Sequence, residues 1–261
     1  MIRPRPMWFA SLSLGLVLAG CGGGAPAPGT EQPSAEPTSA APSIPIDPAT
    51  AGEIVGKIAF EGAKPTMPRI RMDAVPACTQ TNPEPVYSEE VIVNDNGTLR
   101  NVFVYVKEGL GDRTFPVPSA PVALDQRGCT YHPHVLGVMT GQKIQIKNSD
   151  PTNHNIHPLP TVNREWNQSQ PPASADLIQE FARPEVMVTV KCNVHPWMKA
   201  YVGVQRHPFF AVTGTDGTFS LKGLPPGDYV IEAWHEKYPA IQQKVTVSAK
   251  ESKTLDFSFK G

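Results

Sequence analysis

Cys192, His195 and Met198 stand two residues apart in Val190-Lys191-Cys192-Asn193-Val194-His195-Pro196-Trp197-Met198. Directly after a strand, a tight loop can converge all three side chains on one point. Thiolate, imidazole and thioether together suit copper better than zinc, for which a thioether is a poor ligand. A mononuclear copper site with a cysteine and a histidine takes a second histidine from elsewhere in the chain, normally from an adjacent strand-loop. Upstream, Lys143-Ile-Gln-Ile-Lys-Asn148 alternates as a strand and leads through Ser149-Asp150-Pro151-Thr152-Asn153 to His154-Asn155-Ile156-His157. In an extended stretch, residues 154 and 156 share one face and 155 and 157 the other. Only one of His154 and His157 can therefore point at the metal.

The cysteine count bears on the same site. Apart from Cys21, the chain has Cys78, Cys129 and Cys192. Three is odd, so at least one thiol stays outside any intramolecular bridge. If Cys78 and Cys129 pair, Cys192 is free for metal. Pairing of Cys192 with either of them would leave a metal-free fold with Met198 in its core.

The order strand, asparagine, short polar loop, His-Asn, then cysteine 38 residues after His154, resembles the cupredoxin family over roughly residues 120–205. The Cys-x-x-His-x-x-Met loop is most like that of amicyanin-type members. His154 before an asparagine matches the first histidine of plastocyanin-like members. The resemblance implies one type 1 copper held by His154, Cys192 and His195, with Met198 as a weak axial ligand and His157 as the rival of His154. It also implies one-electron transfer. Asn155 and Asn193 are the expected hydrogen-bonding neighbours that tune the cysteine sulfur, and Pro196 and Trp197 the expected cover. The Trp234-His235-Glu236 string resembles the methylamine-utilisation-like cupredoxin group.

The elements that must position these residues read as β throughout. Glu53–Phe60, Glu90–Val93, Asn101–Lys107, Val186–Lys191 and Ala200–Gln205 are short runs bounded by Gly, Pro, Asn and Asp. Such spacing describes an all-β sandwich or Greek-key barrel. Ala175–Ala182 is the one weak helical candidate. After His207-Pro208 come four more strands, Ala211–Gly214, Thr218–Leu221, Asp228–Trp234 and Gln243–Val247. Asp216-Gly217-Thr218-Phe219 and Leu224-Pro225-Pro226-Gly227-Asp228-Tyr229 resemble the carboxypeptidase regulatory-like (transthyretin-like) β-sandwich, which implies no catalysis. The expected division is a copper domain over 52–206 and this module over 207–261. Strands within 52–110 could instead complete the module, which would make the copper domain an insertion.

Ahead of the folded part, Arg3 and Arg5 precede an apolar run over 7–19 that ends Leu18-Ala19-Gly20-Cys21. The run has signal-peptide length, and its end resembles a bacterial lipobox, so residues 1–20 are expected to be removed and Cys21 lipidated. Residues 21–51, rich in Pro, Ala and Ser, read as an extended disordered tether. An acyl anchor holds a protein on a membrane without spanning it. Gly22 after the cysteine favours an outer membrane location, facing the periplasm or the cell exterior.

Charge is balanced, 23 Lys+Arg against 24 Asp+Glu, so no basic excess points to nucleic acid. No nucleophile triad or phosphate-binding glycine loop is visible, and the expectation is a carrier rather than an enzyme, with a redox protein as partner. The alternatives are a cell-surface binding or structural module without copper, and copper storage or delivery. Cys129-Thr130-Tyr131-His132-Pro133-His134 reads as a disulfide cysteine beside exposed histidines, with a second metal site as the weaker reading.

Overall fold

The computed structural model describes residues 46–261. The expected signal segment, the lipidation site Cys21 and the tether as far as residue 45 lie outside the described residues. In chain order the elements are β1 (Gly52–Glu61), α1 (Pro76–Thr81), β2 (Phe103–Glu108), β3 (Val122–Arg127), β4 (Thr130–His132), β5 (Val135–Met139) and β6 (Ile144–Asn148). Then follow β7 (His154–Leu159), β8 (Gln168–Gln170), β9 (Leu177–Gln179), β10 (Glu185–Lys191), β11 (Lys199–Gln205) and β12 (Phe210–Val212). The chain closes with β13 (Thr218–Leu224), β14 (Gly227–Trp234), β15 (Ile241–Val247), β16 (Ser252–Thr254) and β17 (Phe257–Lys260). The fold is all-β apart from α1 among the described residues.

Two sheets share the core that carries the metal-ligand candidates. One has the order β5-β11-β10-β7-β8 and the other β4-β3-β6-β9. Their inward residues, among them Leu124, Ile146, Ile156, Val190 and Val202, pack with Cys192 and Met198. Alternation makes this face: in β6, Ile144 and Ile146 are buried while Gln145 and Lys147 are only partly so, the period-two pattern of a strand with one face on a core.

The remaining strands build a second sheet pair, β13-β1-β16 with β17 also on β1, and β12-β2-β14-β15. Its core includes Ile54, Ile58, Val104, Phe219, Ile231 and Phe257. β1 runs antiparallel to β13 and parallel to β16 and β17. β2 lies between β12 and β14. The strands after residue 207 thus share their sheets with β1 and β2. The run from β3 to β11 leaves after β2 and returns at β12, its neighbour in the same sheet.

Two local expectations differ from the structure. Leu177–Gln179, inside the helical candidate, is a strand paired with Ile144–Ile146 of β6. Glu90–Val93 joins no ladder; Val93 makes a single bridge to Leu99 across the turn at Asn94–Gly97.

Candidate metal centre

The site sits where β10 turns into β11 and where β7 begins. β7 pairs with β10, placing His157 opposite Lys191. His154, at the start of β7, therefore lies beside the loop that follows Lys191. That loop is closed by its own backbone: Cys192 N–H donates to Met198 O at 3.3 Å and Met198 N–H to His195 O at 2.9 Å. His195 N–H points at Cys192 Sγ, 3.4 Å away. The two-residue spacing of the candidates is thus the spacing of a single tight turn.

His154 Nδ1 is 2.9 Å from His195 Nδ1, and His195 Nδ1 is 3.8 Å from Cys192 Sγ. The three donor atoms lie within 4.8 Å of one another. Both histidines are 0% exposed and Cys192 is 2% exposed. Cys192 carries a free thiol, while Cys78 and Cys129 are joined in a disulfide. Met198 is buried in the same core cluster as Cys192.

Hydrogen bonds set which ring nitrogens face inward. A carboxylate only accepts, so His154 Nε2–H donates to Asp150 Oδ2 at 2.8 Å. Asp150 in turn accepts the backbone N–H groups of Gly128 and Cys129, each at 2.7 Å. Burial opposes ionisation of Asp150, but the hydrogen bonds from His154, Cys129 and Gly128 outweigh it and hold the carboxyl below its usual range. Burial likewise disfavours a charged His154, yet Asp150 and Cys192 together raise its pKa. His195 is shifted down, by burial and by the charge of His154. The Cys192 thiol is lowered: burial resists, and the hydrogen bond from His154 and the backbone N–H groups of His195, Asn155 and Val194 prevail. A lowered thiol is the state a metal ligand requires.

Asn155 faces away from His154 and straps the segments that carry His154 and Cys192 together, its Oδ1 accepting Asn193 N–H at 2.7 Å. Asn193 uses its own side chain on His157, Oδ1 to Nδ1 at 3.1 Å. His157 also pairs with Glu165 at 2.6 Å and lies outside the trio. Trp197 rests beside His195, ring centroids 5.2 Å apart, and its Nε1–H donates to Cys129 O at 2.9 Å.

Asp150 and Tyr131 escaped the sequence reading. Tyr131 O–H reaches Asn155 O at 2.7 Å and Lys191 O at 3.1 Å, tying β7 to β10 beside His154 and Cys192. The only sequence signal was a carboxylate four residues before His154. His132 and His134 do not join Cys129 in a site. His134 pairs with Glu236 and with Glu89, and His132 contacts Thr130 Oγ1 at 2.8 Å.

The family model for the carboxypeptidase regulatory-like domain matches residues 186–260, a stretch that begins inside β10 and includes the 192–198 loop. No curated protein matches the chain. Among solved structures, a reduced amicyanin variant is 18% identical, covering 39% of this chain and 98% of its own, with a TM-score of 0.30. A purple cupredoxin from Nitrosopumilus maritimus is 18% identical, covering 32% and 99%, with a TM-score of 0.29. A Cu-containing nitrite reductase from Thermus scotoductus SA-01 is 19% identical over 36% of this chain, with a TM-score of 0.29, and the chain spans only 26% of that protein.

Proposed function

We propose that this chain is a mononuclear copper protein that carries single electrons between redox partners at the cell envelope. The observation behind the reading is the convergence of Cys192 Sγ, His154 Nδ1 and His195 Nδ1 within 4.8 Å in a fully buried place. The donors fit the metal: one soft thiolate with a lowered pKa and two imidazoles, one of them with its outer nitrogen already committed to a carboxylate. His154, Cys192 and His195 would hold the ion, with Met198 as the weak fourth ligand.

Bound copper supplies a one-electron couple. The protein's part is positioning. Asp150 keeps the proton on His154 Nε2, and Asn155 and the closed 192–198 turn hold the ligand segments in register. Burial excludes water, and protein donors fill the strong positions, which favours carriage over catalysis. On this reading a lipid on Cys21 holds the protein at a membrane surface, with the tether giving the folded body reach toward a redox protein.

The test is to add Cu(II) to the full-length protein in detergent and record visible and EPR spectra. An intense thiolate-to-copper band that bleaches reversibly on reduction and is lost in Cys192→Ala supports the reading. His154→Ala should abolish the band while His157→Ala keeps it. A colourless protein would sink the proposal and leave a β-sandwich binding module.

A further inference from the structure

Beside the trio lies a second set of soft donors, two of them tied to each other. The Cys78–Cys129 disulfide joins α1 to the turn between β3 and β4. Both cysteines are 0% exposed, in a small cluster with Met72, and Trp197 packs against it. Cys78 Sγ is 3.6 Å from His195 Nε2, the ring nitrogen on the opposite side from the trio. Cys78 Sγ, Cys129 Sγ and a His195 nitrogen lie within 4.8 Å of one another. Cys129 Sγ also lies within that distance of an Asp150 oxygen and a His154 nitrogen.

We propose that Cys78 and Cys129 form a second, redox-gated metal site that takes one monovalent soft cation, copper(I), once the disulfide is reduced. Two thiolates are the donors a monovalent soft metal prefers, and the His195 Nε2 edge lies at their side. In the closed state the sulfurs hold each other and bind nothing. Opening takes a dithiol reductant: its two thiols close to a disulfide while the Cys78–Cys129 bond breaks to two thiols. Metal entry then releases those two thiol protons to solvent, and the copper keeps its oxidation state. Cys78 lies on α1, a six-residue helix without a side-chain cap.

The test uses the full-length protein under anaerobic conditions. The disulfide form is compared with a form reduced by dithiothreitol and desalted, with the gain of two thiols checked by titration. Each is titrated with copper(I) supplied as its bicinchoninate complex. The reduced form should bind one equivalent more than the disulfide form. Cys78→Ser/Cys129→Ser should lose that extra equivalent. Reduced Cys192→Ala should keep it, which separates this site from the trio: a disulfide form that binds no copper counts against the proposed electron carrier and leaves the second site standing. Equal stoichiometry in the two forms overturns the inference, as does an extra equivalent that survives the double serine variant. A disulfide that resists reduction, or a reduced chain that has lost its circular-dichroism signature, overturns it too.

Discussion

Asp150 decides which face of His154 is available. Its carboxylate accepts the hydrogen bond from Nε2–H and leaves Nδ1 turned to His195 and Cys192. The side chain is nearly fully enclosed and is fixed by two backbone N–H groups, so it acts as a rigid orienter. Carboxylates that orient a ligating histidine contribute about 10–100-fold to metal affinity. Asp150→Asn should therefore weaken copper affinity by about that factor, read by competition with a chelator of known affinity. An unchanged affinity in a folded variant would show that His154 is oriented by packing alone. That Cys192, His195 and Met198 share one turn was legible in the sequence, because their spacing is that of a single turn. His154 was half legible, through strand parity and its place before Asn155. Asp150 was not, because its role depends on Gly128 and Cys129, which are distant in the chain.

At the scale of elements, the sheet that carries His154 touches the other sheet pair through a pair of glycines. Gly137 of β5 and Gly203 of β11 are register partners. The Phe103 ring of β2 lies over both: a Cβ added at Gly203 would meet Phe103 Cζ at 2.6 Å, and one at Gly137 would meet Phe103 Cε2 at 2.8 Å. Phe103 is 0% exposed, so its ring has little room to give way. Gly203→Ala should then cost about 1–3 kcal/mol by overpacking, measured as a lower urea midpoint with an unchanged slope. Phe103→Leu in that background should recover part of the loss, since the smaller side chain clears the added methyl. A full-strength Gly203→Ala single variant would mean the ring shifts freely. This contact was invisible beforehand, because it pairs residues on three strands far apart in sequence. The same holds for β9: its residues were read as weakly helical, and pairing with β6 overrode that local tendency. Strands with clean alternation, such as β6 and β10, were found because burial on one face writes itself into the sequence directly.

Across the whole molecule, two histidines outside the candidate metal centre couple stability to pH. His207 follows β11 and His235 follows β14, and burial depresses the pKa of each to about 4. Each imidazole accepts a backbone N–H at Nδ1, from Phe209 at 3.2 Å and from Lys237 at 3.1 Å. Protonation there would remove the acceptor and bury a charge. The unfolded chain binds these protons near the ordinary value of 6.5, while the folded chain refuses them until about pH 4. The unfolded state therefore holds more protons across that window, and stability rises with pH through it. The contribution is fully present above pH 6.5 and is lost as pH falls toward 4, on the order of 2 kcal/mol for each histidine by pH 5. His154 runs the other way: its raised pKa stabilises the fold at low pH and fades as pH rises. The net slope mixes these groups, so variants must separate them. Urea unfolding of His207→Phe and His235→Phe, each at pH 7.5 and pH 5, should show a smaller acid loss than the parent protein. The double variant should be flatter still, because the two sites do not touch and their effects should add. An acid loss that is the same size in the parent and the double variant would assign the pH dependence to other groups.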